Sequence, residues 1–181
     1  MKWIKIALGV LAVLIVVPVL ALAIAGAGPN SNRIATSVVI HRKPAAVWPW
    51  LYQPDKVKSW VSWLVEVRAN GAGEPDAGQS AVWVMEDRNN GNMRMEITST
   101  VEAVETNRRI AVRMSAPEGF SGSTVYTLAE LPDGSTRLES DSRFHLENAF
   151  ARFMTPLVCW QAKKKMLGDI EQLRSRLEGG L

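Results

Sequence analysis

The sequence predicts an α+β chain: a curved antiparallel sheet of six to seven strands wrapped on one long C-terminal helix, preceded by one transmembrane helix. Three observations predict it. Twenty-three residues from Ile6 to Gly28 carry no charge. Between Val65 and Leu146, apolar and polar residues alternate in short runs separated by turn sequences, the period-two signature of strands with one covered face. From Glu147 to about Leu177, apolar residues recur at three- and four-residue steps, which marks a helix large enough to cover that face.

About twenty apolar residues at 1.5 Å rise span a hydrocarbon core of roughly 30 Å. Lys2 and Lys5 precede the run and Pro29 follows it, so positive charge lies on the cytoplasmic side. The segment predicts membrane contact through residues 4–28, with the N-terminus inside and the domain outside the cytoplasmic membrane, periplasmic or extracellular. The alternative is a secreted protein whose signal is cleaved, because Ala21, Ala23, Ala25 and Ala27 resemble a processing site. The length of the run favours the anchor. Residues 1–28 are thus read as a signal-anchor, 29–33 as a short linker and 34–178 as one domain. A linker of that length reaches at most about 18 Å, which keeps the domain near the lipid surface.

Apart from Lys2 and Lys5, the 21 Lys+Arg are balanced by 18 Asp+Glu. A nucleic-acid-binding domain carries a clustered basic face, so no nucleic-acid partner is expected; Lys163-Lys164-Lys165 reads as a solvated face, and the sequence names no protein partner. Cys159 is the sole cysteine. No intramolecular disulfide is available, and the apolar neighbours Leu157, Val158 and Trp160 predict a buried, inert thiol.

Ile34 to His41 alternates with Ile34, Thr36, Val38 and Ile40 on one side, a strand. Pro44 opens a short helix carrying Val47, Trp48 and Leu51; Pro54-Asp55 opens a second, with Val57, Trp60, Val61 and Leu64 at helical spacing. Asn70 to Gly78 is a loop, Gln79 to Asp87 a strand, and Asn89-Asn90-Gly91-Asn92 a hairpin signal. Met93, Met95, Ile97, Ser99, Val101 and Ala103 then face one way, against Arg94, Glu96, Thr98, Thr100 and Glu102. Ile110, Val112 and Met114 repeat the pattern up to a Pro-Glu-Gly break. Thr124 to Leu131 and Thr136 to Leu146 flank the turn Pro132-Asp133-Gly134; in the second, Leu138, Ser140, Ser142, Phe144 and Leu146 share a face. The last helix carries Phe150, Phe153, Leu157, Trp160, Leu167, Ile170 and Leu173, and Pro156 is expected to kink it.

This order is similar to the helix-grip fold of the START and birch-pollen-allergen superfamily, SRPBCC, in its polyketide-cyclase/dehydrase and lipid-transport branch. The resemblance covers about residues 34 to 178. Val39-Ile40 leads through Pro44 and Val47-Trp48 to Trp60, and Tyr126-Thr127-Leu128 is followed by Asp133-Gly134-Ser135-Thr136. It implies a cavity between sheet and C-terminal helix that holds a lipid or other apolar small molecule. The lining expected on that basis is Trp63, Met93, Met95, Ile97, Met114, Tyr126, Ser140, Ser142, Phe144, Phe153, Leu157 and Trp160. The residues add their own support: serines among methionines on a covered face suit a pocket with a few orienting groups better than a filled core.

No nucleophile elbow, phosphate-binding glycine loop or zinc-protease motif is present, and two histidines with one cysteine make no metal site. No catalytic residue, metal or cofactor is expected. His41, His145 and Glu86-Asp87-Arg88 read as surface groups, and Arg113 points outward by parity. Three functions follow: a membrane-tethered binding module, preferred; a cyclase- or dehydratase-type enzyme using Tyr126, Arg113 or a cavity carboxylate; and a structural or partner-binding domain with a filled core.

Overall fold

The computed structural model describes residues 30–69, 73–87, 91–117 and 119–179, with isolated positions 17, 20, 21, 24 and 28; for 149–152 it describes the backbone alone. The rest of the predicted span, Pro29, Arg88, Asn89-Asn90, Gly180 and the Phe150 side chain lie outside the described residues. Val17, Leu20, Ala21 and Ile24 are helical and exposed. Among the described residues no helix is long and apolar enough to cross a membrane.

Seven strands form one sheet: β1 (Arg33–Ile40), β2 (Leu64–Ala69), β3 (Ser80–Asp87), β4 (Met93–Glu105), β5 (Arg109–Ala116), β6 (Phe120–Glu130) and β7 (Thr136–Leu146). Their order is β1-β7-β6-β5-β4-β3-β2 and every pairing is antiparallel. Strands β2 to β7 therefore form a meander, and β1 joins it beside β7. The β6–β7 turn shows how local sequence sets this register. Gly134 takes φ +77°, a conformation costly for other residues. Asp133 Oδ1 accepts from the Ser135 amide at 3.0 Å and its hydroxyl at 2.6 Å.

Between β1 and β2, α1 (Pro44–Val47) runs into a 3-10 turn (Trp48–Leu51), followed by α2 (Pro54–Trp60). Both helices place a proline in the first turn, where its missing N–H costs nothing. The second helix is shorter than its apolar spacing predicted: Val61 is extended and Leu64 opens β2. The core joins Val47, Trp48, Leu51, Val57 and Trp60 of this segment to Ile40, Ile110, Leu128 and Leu138 of the sheet. Ile170, Leu173 and Leu177 of α3 (Ala149–Glu178) close it. Burying each such side chain contributes roughly 1.5–3 kcal/mol.

Two further expectations are corrected. A bulge between Val101 and Ala103 shifts the parity of β4, because the extra residue leaves two opposite one. Ala103 then pairs with Ala111 on the outer side, and Val104, opposite Ile110, packs on the core. The apolar stripe of the last helix is also buried along part of its length only. Ile170 and Leu173 are covered, whereas Leu157, Trp160 and Leu167 are exposed. Thirty residues of helix run about 45 Å. The eight residues of β1, against which α3 packs, run about 26 Å. The helix is longer than the strand that covers it. It continues without interruption through Pro156.

Candidate functional site

Two cross-strand rows on the inner face define the candidate site. In one, Val104, Ile110, Tyr126, Ser140 and Thr36 stand opposite one another in succession across β4, β5, β6, β7 and β1. In the next, the succession is Val101, Val112, Thr124, Ser142 and Ile34. Each row is apolar on β4 and β5 and carries hydroxyls on β6 and β7. Within these two rows polarity changes across the strands, whereas the neighbouring row keeps Leu128 and Leu138 apolar on β6 and β7.

The apolar ends of both rows border a pocket of about 80 Å³. Leu51, Val57, Val67, Trp83, Val101, Ile110 and Val112 form its greasy wall, and Gln53, Gln79 and Ser99 add polar atoms. It lies between the 3-10 turn and α2 on one side and β2 to β5 on the other. Pockets that enclose whole ligands are typically about 300–1,000 Å³, so this one admits a fragment.

At the other end, Thr36, Thr124, Ser140 and Ser142 are all buried. Thr124 and Ser142 share a hydrogen bond of 2.8 Å. Among the described residues, the hydroxyls of Thr36 and Ser140 have no partner, nor has the Trp48 indole N–H. A buried polar atom left unpaired costs about 1–3 kcal/mol, and native interiors rarely carry several. Directly opposite Ser140 is Tyr126, half-buried by area yet so ringed by protein that burial, and secondarily the charge of Asp169, push its phenol up to about 12. At neutral pH it is an O–H donor. Its ring packs edge-on against Trp60, with centroids 6.5 Å apart.

Asp169 of α3 is buried and accepts from the Ser62 amide at 3.1 Å and the Trp63 indole at 3.2 Å. Burial raises its carboxyl above the usual range, opposed by those hydrogen bonds and by Lys165. The Lys165 ammonium lies 4.2 Å from the Trp63 ring centre and 3.4 Å from Asp87 Oδ1. These contacts fasten α3 to the turn before β2. Asp169 was missed as a site residue in the sequence; the one signal for it is an acid beside Ile170 of the apolar helix stripe.

The expected lining residues divide into three groups. Tyr126, Ser140 and Ser142 belong to the hydroxyl rows, and Trp63 lies outside them, donating to Asp169. Ile97 is buried opposite Trp83, Met95 and Met114 are half-buried, and Phe144 stacks on Phe120 at 5.8 Å. Phe153 is half-buried on α3. Met93 and Trp160 are each 59% exposed and Leu157 is 38% exposed, outside any enclosed space. None of the twelve lines the 80 Å³ pocket. Its wall comes from the helices after β1 and the strands β2 to β5, so sequence alternation alone did not single it out. Thr36 and Thr124 were missed as site residues, although Thr36 shares its strand face with Ile34, Val38 and Ile40.

Arg113 points outward and pairs with Glu102, and His41 and His145 are exposed. Burial raises the Cys159 thiol, which keeps it protonated and unreactive. Among the described residues no group of three or more His, Cys, Asp or Glu side chains is placed to hold a metal ion. The interior offers hydroxyl donors and acceptors at one end and an apolar wall at the other. Chemically, that is a surface for orienting a molecule with one polar end.

The family described as polyketide cyclase / dehydrase and lipid transport matches residues 31–178. Curated proteins yield no match. Among solved structures, the fold is similar to that of protein CV1439 from Chromobacterium violaceum, with TM-score 0.64 and 15% identity over 81% of this chain and 98% of that one. A conserved protein from Geobacillus kaustophilus is similar with TM-score 0.66 and 11% identity, over 81% and 95%. DynU16, from the dynemicin biosynthetic locus, is similar with TM-score 0.59 and 19% identity, over 82% of this chain and 48% of that one.

Proposed function

Because the chain belongs to the polyketide cyclase / dehydrase and lipid transport family, we propose that it is a binding module for an apolar small molecule or lipid with one polar end. The molecule lies across the inner face of the sheet, beneath α3. Its polar end meets Thr36, Ser140 and Tyr126, and its body runs over Ile110, Val112 and Val101 toward the pocket. The observation that carries this reading is the pair of unpartnered hydroxyls on Thr36 and Ser140, in one row with a phenol that remains protonated. A hydroxyl or carbonyl on the ligand supplies the missing hydrogen bonds, and the apolar wall supplies burial.

An occupant larger than a fragment requires the 80 Å³ pocket to widen. The uncharged run from Ile6 to Gly28 supports a membrane tether, and a short linker keeps the inner face within reach of lipid. The test is to purify the full chain in non-ionic detergent, extract it with organic solvent and analyse the extract by mass spectrometry. A single stoichiometric species with an apolar body and an oxygen function is expected. A chain that carries none, and takes up none from a membrane lipid extract, contradicts the reading.

One observation favours a second reading, catalysis. Tyr126 stands in the hydroxyl row, and its phenol is raised first by burial and secondarily by the charge of Asp169, so a proton donor faces the row. Asp169 is, however, committed to Ser62 and Trp63, which gives it a positioning role. Conversion of the extracted species on incubation, lost in Tyr126→Phe, would favour the enzyme.

A further inference from the structure

The outer face of the sheet carries an open groove of about 410 Å³ that the inner-face reading does not use. Arg113, Ser123 and Arg143 on its floor belong to a row of side chains that continues to Arg33 beyond the groove. Arg113 of β5 stands opposite Ser123 of β6, Ser123 opposite Arg143 of β7, and Arg143 opposite Arg33 of β1. Like charges placed directly opposite in a ladder repel one another. A row with three arginines therefore invites an anion.

The sheet itself neutralises two of the three. Arg33 makes a two-pronged pair with Asp141 at 2.8 and 2.9 Å, and Arg113 pairs with Glu102. Arg143 is exposed and, among the described residues, no carboxylate lies within ion-pairing distance of it. Ser123 is short, so the floor between the two long cationic chains stays open. One step along, Ser121 and His145 stand opposite each other and bring further hydrogen-bond donors to the same groove.

We propose that this groove is an oxyanion site for a phosphate group, with the Arg143 guanidinium as its principal ligand and the hydroxyls of Ser121 and Ser123 as secondary donors. A planar guanidinium matches two oxygens of such a group at once. Two sources share this chemistry: free phosphate and the phosphodiester of a lipid headgroup. Asn32 lines the groove as well, so the site sits where the chain enters the domain from its N-terminal segment.

The test titrates the full chain, in non-ionic detergent, with inorganic phosphate in one arm and with glycerophosphoglycerol, a soluble headgroup diester, in the other. Nuclear magnetic resonance reads the Arg143 side-chain N–H and the backbone amides of Ser121 and Ser123. A saturable shift with either probe supports the site, and the arm that responds more tightly identifies the source. Arg143→Gln is expected to weaken binding about tenfold, the loss of one charge-assisted pair. Its melting temperature should change little, since the repulsion between Arg143 and Arg33 is offset by the attraction of Arg143 to Asp141. Ser123→Asp, which places a carboxylate on the floor, should abolish binding in a second, independent variant. No saturable shift with either probe, or affinity unchanged in both variants, overturns the proposal.

Discussion

Ser140 on β7 stands directly opposite Tyr126 on β6, and its hydroxyl, 1% exposed as a residue, has no hydrogen-bond partner among the described residues. Thr36 flanks Ser140 on the other side in the same condition. Both hydroxyls are thus buried without a protein partner among the described residues, at the place where the proposed ligand's polar end sits.

Removing the hydroxyls should therefore stabilise the empty protein. Thr36→Val deletes an unpaired polar atom and keeps the side chain's volume, which relieves about 1–3 kcal/mol. At roughly 2–4 °C per kcal/mol for a chain of this size, differential scanning calorimetry should find a higher melting temperature for ligand-free Thr36→Val, and less ligand retained through purification. A lower melting temperature would mean that Thr36 is already satisfied.

Asp169 gives a pH signature. Its carboxyl is raised by burial, so the folded state holds the proton more tightly than the unfolded chain does. The associated stability is complete below about pH 4 and is lost as the pH rises through the folded value. Compared with Asp169→Asn, which cannot titrate, the parent should lose stability between pH 4 and neutrality. Paired urea titrations across that range measure the difference, and a constant offset would contradict it.

The β6–β7 ladder has little room at Gly122. A methyl group there would lie 2.8 Å from the Arg143 carbonyl oxygen and 3.1 Å from the Phe144 ring. Gly122→Ala should cost about 1–3 kcal/mol, seen as a lower urea midpoint with unchanged far-ultraviolet circular dichroism at low denaturant.

Two tryptophans separate core from surface. Trp48 is 1% exposed and Trp160 is 59% exposed. Trp48→Ala should cost about 3–5 kcal/mol, while Trp160→Ala should change stability by no more than about 0.5 kcal/mol. Equal losses would place the N-terminal half of α3 in the core.

Much of this arrangement was legible in the sequence. The period-two alternation from Thr136 to Leu146 placed Leu138, Ser140 and Ser142 on the covered side, and the prolines at 44 and 54 marked both short helices. What alternation does not encode is an inserted residue, and the bulge after Val101 reversed Ala103 and Val104. Nor does helical spacing encode the length of the partner strand, so Leu157 and Trp160 fit the apolar stripe of α3 and remain exposed. The site was half visible. Tyr126, Ser140 and Ser142 belong to the expected lining, whereas Asp169 and the pocket wall from Leu51 to Val57 depend on how distant elements meet.

One molecule is proposed to span the inner face with its polar end at the hydroxyl row. Intermolecular nuclear Overhauser effects between the extracted ligand and the isotope-labelled full chain test it most directly. Contacts are expected from the ligand's oxygen-bearing end to Ser140 and Tyr126 and from its apolar end to Val112 and Val101. Contacts confined to exposed residues such as Leu157 and Trp160, with none to Ser140, would contradict it.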